Sequence, residues 1–146
     1  MNSENKSGKI LSCLRQEQAC YHKLLIKMGE QKDVIATGNE SGLLPIIQEN
    51  DALIETIRKL DQEIERVLPG IPSTERESLI EQAEPLNNQI QEALRKIITL
   101  EKDCRTLLEN QKTGISGQMK ALRERKPLLK TYGATSSKNS LFSKNA

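Results

Sequence analysis

A chain of 146 residues without Trp, with 2% aromatic, 36% hydrophobic and 29% charged residues, describes a thin aliphatic core under a solvated surface; that suits one domain and argues against a compact catalytic core. The formal charge of +2 is unevenly spread, because residues 113–146 carry 7 basic and 1 acidic side chain while residues 37–72 carry 3 and 7. The positive excess therefore lies at the C-terminal end.

The opening residues, Met1 to Leu14, contain no apolar run of signal-peptide length, and no stretch is apolar for long enough to span a membrane. A cytoplasmic location without stable membrane insertion is expected. Ile10, Leu14, Tyr21, Leu24, Leu25, Met28 and Ile35 recur mainly at spacings of three, four and seven, which predicts a first helix over about 9–36 with one apolar stripe. Cys13 and Cys20 lie two turns apart on it, too far to bridge, and with Cys104 they read as reduced small hydrophobes. His22 is the only histidine, and with no paired cysteines beside it a zinc site is not expected.

Gly38-Asn39 and Ser41-Gly42 end this helix. Asn39-Glu40-Ser41 fits the glycosylation sequon, which has no consequence in a cytoplasmic chain. A second helix over about 43–68 follows, with Leu43, Ile46, Asn50, Leu53, Ile57, Leu60, Ile64 and Val67 at alternating spacings of three and four. This is a coiled-coil seam in which Asn50 is the polar member that fixes register. Pro45 falls in the first turn, where a missing N–H costs little. The run Leu68-Pro69-Gly70-Ile71-Pro72 reverses the chain, and Thr74 with Glu77 forms a candidate capping box for the next helix.

The third helix is expected over about 74–112, extending to 126 where Gly114 and Gly117 leave it unbroken. Its stripe is Leu79, Ala83, Leu86, Ile90, Ala93, Ile97, Leu100, Cys104 and Leu107, widened by Leu94, Ile98 and Leu108, and Pro85 is placed to kink it. The fold class is all-α: an elongated antiparallel helical bundle or coiled coil of three to four helices, forming a single domain over 1–126. The first two helices would span about 39 Å each, whereas an unbroken third would reach about 78 Å and outrun its partners. Its far face, Ile115, Met119 and Leu122, would then lack packing partners, which suggests recognition of another helix. After Pro127 a flexible basic tail, 127–146, reads as disordered, yet it carries Tyr132 and Phe142, two of the chain's three aromatics.

Chemistry is sparse. No Gly-rich phosphate loop, acid–base pair or nucleophile–base pair is present, so neither an enzyme nor a cofactor or metal is expected. The basic residues of the tail are spread among aliphatics without a nucleic-acid-binding motif, so nucleic acid is not an expected partner. A structural coiled-coil subunit that buries its stripes in homo-oligomer contacts is the competing reading, and an exposed stripe leaves homodimerisation open.

The order of elements resembles the FlgN family of flagellar export chaperones. The first helix carries Glu17-Gln18-Ala19-Cys20-Tyr21-His22-Lys23-Leu24-Leu25, then come a Gly-containing break, a heptad helix and a long third helix. The tail carries Tyr132-Gly133, a Ser-rich spacer, Leu141-Phe142 and Lys144-Asn145-Ala146, with Ser143 where that family's pattern places an acidic residue. What the resemblance implies is a non-enzymatic chaperone that binds hook-filament junction (hook-associated) proteins and delivers them to the flagellar type III export gate. A sibling chaperone for the filament cap is the nearest alternative. On that reading the client-binding residues are Leu107, Leu108, Ile115, Met119 and Leu122, on an extension that orders against the client, and Tyr132 and Phe142 dock on the export gate.

Overall fold

The computed structural model describes residues 3–111 and 117–125, and four α-helices account for nearly all of them. They are α1 (Ser3–Thr37), α2 (Leu43–Val67), α3 (Ser73–Asn110) and α4 (Gly117–Glu124). The architecture is the all-α bundle that the heptad spacing predicts.

Cross-links along the bundle fix its directions. Lys9 pairs with Glu63 at 2.7 Å near the start of α1, and Lys27 pairs with Glu49 at 2.8 Å further along, so α2 runs antiparallel to α1. Lys32 pairs with Asp103 at 3.1 Å and Gln111 Nε2 donates to the Ile35 carbonyl at 3.0 Å, so α3 runs back parallel to α1. The backbone of α1 approaches both α2 and α3 closely, which leaves the α2–α3 side as the wider seam.

The turns follow their residue chemistry. Gly38 adopts φ of 72°, the left-handed conformation that ends a helix, and its N–H donates to Ile35 O while that of Asn39 donates to Val34 O, both at 3.1 Å. At the other end Leu68–Gly70 forms one 3-10 turn before Ile71 extends toward Pro72. Arg76, in the first turns of α3, ties it down by donating from Nη2 to Leu68 O at 3.3 Å and from Nε to Ile71 O at 3.5 Å.

Three expectations are corrected. The first helix begins at Ser3, because residues ahead of Ile10 lie along the α2–α3 turn: a Cβ at Gly70 would stand 2.6 Å from Lys6 Nζ. The capping box does not form. Helix α3 starts at Ser73 behind Pro72, so Thr74 is already helical and no side chain caps the first turn. Finally, α3 stops at Asn110, where Gln111 N donates to Leu107 O at 3.1 Å, and does not run on into the next segment. It therefore matches α1 in length, at about 57 Å against about 52 Å, and has no overhanging end.

The apolar residues divide into two clusters. The larger fills most of the space between the three long helices and includes Ile10, Leu14, Tyr21, Leu24, Ile57, Ile64, Leu79, Ala83, Ile90 and Ile97. The smaller caps one end and is built by Ile35, Leu43, Cys104, Leu108 and Met119, with Val34, Ile47, Leu107 and Leu122 packed around them. All three cysteines are free, and burial pushes their thiols up, as suits packing groups rather than nucleophiles.

Candidate functional site

The end cluster is the candidate site. Gly117 opens α4, and its short helix lies across the α2–α3 seam, burying Met119 to 5% exposure against Cys104 and Leu108. Leu122, three residues on and hence on the same face, packs beside it. An isolated helix needs about 12–15 residues to be marginally stable in water, so eight residues hold their shape only through what they touch.

Polar contacts pin the C-terminal end of α4. Arg105, projecting from α3, donates from Nη1 to Arg123 O at 3.2 Å and from Nη2 to Arg125 O. These are among the last carbonyls of a helix, left without intrahelical donors, so a guanidinium beside them supplies bonds and opposes the negative end of the dipole. Arg125 in turn reaches Asp51 of α2 as an ion pair. Thus α3 grips the backbone of α4, and α2 grips its last side chain.

Beneath α4 lies a cavity of about 40 Å³, lined by Met28 and Gln31 of α1, Asn50 and Ile54 of α2, Cys104, Arg105 and Leu108 of α3, and Leu122. A relay of buried amides crosses it: Asn50 Nδ2 donates to Gln31 Oε1 at 3.0 Å and lies 3.5 Å from Met28 Sδ, while Gln31 Nε2 donates to Cys104 Sγ at 3.6 Å. The accounting is incomplete, since Asn50 Oδ1 and Arg105 Nε are buried without a hydrogen-bond partner among the described residues. Glu101 also faces this space, and burial holds its carboxyl above the ordinary value despite the opposing pull of Arg105 and Arg125.

Of the residues expected to form a recognition surface, Leu107, Leu108, Met119 and Leu122 come together here. Ile115, Tyr132 and Phe142 lie outside the described residues. The expected absence of packing partners for the distal stripe is corrected for Met119 and Leu122: α4 lies against the bundle, and these two residues cover an apolar end that α1, α2 and α3 build jointly.

Sequence reasoning missed Gln31, Arg105 and Asp51. Gln31 carried a signal, for it completes the spacing of Leu24, Met28 and Ile35, and a polar residue in a seam pairs with another such as Asn50. Arg105 and Asp51 read as ordinary solvated charges, and only the return of α4 gives them a shared role.

No group of His, Cys, Asp and Glu among the described residues could hold a metal ion, and no described helix is long and apolar enough to cross a membrane. Comparison with known proteins gives one family match, to the model described as FlgN protein, over residues 1–139. No curated protein and no solved structure matches the chain.

Proposed function

The chain belongs to the FlgN family of flagellar export chaperones, and from that premise we propose that it holds hook-associated subunits in the cytoplasm and delivers them to the type III export gate. The client's amphipathic segment docks on the apolar end formed by Ile35, Leu43, Leu107 and Leu108. Met119 and Leu122 occupy that end in the unloaded chain. Tyr132 and Phe142 then contact the export machinery.

The observation that carries this reading is the division of the apolar residues into two clusters, one of which is closed only by an eight-residue helix. The long helices keep their own core when α4 departs, so exposing the smaller cluster does not require unfolding the bundle. A helix-in-groove partner would replace apolar contacts with apolar contacts, and the exchange needs only a modest difference in affinity.

Calorimetry with the C-terminal segment of a hook-associated subunit tests it on the full chain. Leu107→Asp should weaken binding at least tenfold, and Met119→Asp with Leu122→Asp should strengthen it by vacating the site. Unchanged affinity in both variants, with unchanged melting of the bundle, would overturn the docking assignment. Delivery is tested separately: a chain truncated before Pro127 should still bind the subunit but fail to support its secretion, and normal secretion would remove Tyr132 and Phe142 from the mechanism.

A further inference from the structure

The way α4 is held specifies what else can sit there. Three features of it are used: an apolar pair three residues apart, Met119 and Leu122, on the buried face; the carbonyls of Arg123 and Arg125, which accept from Arg105; and the cation of Arg125, paired with Asp51. None of these depends on α4 belonging to the same chain. They are properties of a short amphipathic helix followed directly by a basic residue.

The fit of α4 is also imperfect. Asn50, 3% exposed, and Arg105 both line the cavity with Leu122, and Asn50 Oδ1 and Arg105 Nε are each buried without a hydrogen-bond partner among the described residues. A cavity of about 40 Å³ beneath the resident helix leaves room for more apolar volume and a further polar contact. An occupant that fills it outcompetes α4 without any new docking surface.

The geometry points to a client recognition element of the form apolar-x-x-apolar-x-x-basic, in a helix that ends just before the basic residue and sits in place of α4, with its last carbonyls on Arg105 and its cation on Asp51. Met119-Lys120-Ala121-Leu122-Arg123-Glu124-Arg125 is the chain's own copy of that element. This rests on the client-docking reading above and adds to it the chemistry by which a client is chosen. Apolar residues give the affinity, Arg105 requires a helix terminus at a fixed position, and Asp51 sets the sign of charge allowed there.

The probe is a fluorescent synthetic peptide with the sequence of residues 117–125, titrated by anisotropy against the full chain and against the full chain carrying Met119→Asp and Leu122→Asp, which expels α4. At least tenfold tighter binding to the expelled variant is expected. Changing the peptide's final Arg to Glu should weaken binding about fivefold, and Asp51→Arg in the protein should restore it. Equal affinity for the two proteins, or charge reversal without effect and without rescue, overturns the element. The same variant is then offered a hook-associated subunit. Subunit binding that the peptide does not compete for overturns the element and leaves client docking standing, whereas peptide binding with charge rescue but no subunit binding supports the element and removes the docking reading.

Discussion

Asn50 and Gln31 share a hydrogen bond of 3.0 Å at sites 3% and 4% exposed, joining α2 to α1 beneath the end cluster. Gln31 passes the link on to Cys104 of α3, so one buried pair sets the register of three helices. Removing one partner strands the other, and a stranded buried amide costs about 1–3 kcal/mol. Asn50→Leu should therefore destabilise the chain by about 2 kcal/mol, whereas Asn50→Leu with Gln31→Leu should recover most of the loss. Urea unfolding of both variants measures the coupling, and a single variant as stable as the parent would show that the pair contributes nothing.

The two clusters should respond differently to truncation. Leu24 is fully buried in the larger one, and Leu24→Ala should cost about 2–5 kcal/mol in global unfolding because a cavity is left in a core that all three long helices share. Met119 is nearly as buried, at 5% exposure, yet Met119→Ala should shift the global midpoint by less than about 0.5 kcal/mol, since α4 opens before the bundle does. Hydrogen exchange should report the difference, with amide protection lost over residues 119–124 alone. Loss of protection throughout α3 would mean that the clusters form one cooperative unit.

The three long helices were legible in the sequence because each carries an apolar stripe longer than chance spacing produces, and because Gly38 and the Leu68–Pro72 run break those stripes where the chain must turn. Periodicity also identified the distal stripe, but it could not decide where that stripe lies. Ile115, Met119 and Leu122 continue the helical spacing of Leu107 and Leu108 whether the chain runs straight or folds back, and the cost of a break near Gly114 and Gly117 is too small to read from composition alone. The outcome depends on tertiary contacts between residues far apart in sequence, such as Arg105 with Arg123 and Arg125 with Asp51. The failed capping box has a local cause: Pro72 is already extended, with φ of −61° and ψ of 148°, and starts the helix one residue too early for Thr74 to cap it.

Pro85 lies exposed inside α3, and the helix passes through it without interruption from Ser73 to Asn110. Its missing N–H leaves a carbonyl one turn earlier to water, and its ring crowds that turn, at a cost of about 3 kcal/mol in an ideal helix. Part of this is offset because proline also restricts the unfolded chain. Pro85→Ala should therefore stabilise the protein, by about 1–2 kcal/mol, and raise the thermal midpoint. A lower midpoint would mean that the shape α3 takes at Pro85 is needed for Ala83 and Leu86 to reach the core.

Glu101 gives the end cluster a pH dependence of defined sign. Burial holds its carboxyl above the ordinary carboxylate value in the folded chain, with Arg105 and Arg125 opposing that shift only in part. Between the unfolded and folded values the folded state binds more protons than the unfolded state, so stability is greatest below the unfolded value and is lost as pH rises through the folded one. Glu63 has the opposite sign, because Arg66 and Lys9 lower it to about 2; its contribution is present above the ordinary carboxylate value and fades only as pH falls through about 2. Lowering the pH from neutrality through the carboxylate range should tighten the end cluster around α4, seen as slower hydrogen exchange there after correction for the intrinsic rate. Glu101→Gln should show the tightened state throughout that range. If exchange at α4 accelerates on acidification, or if Glu101→Gln keeps the parent's slope, the titrating group lies elsewhere.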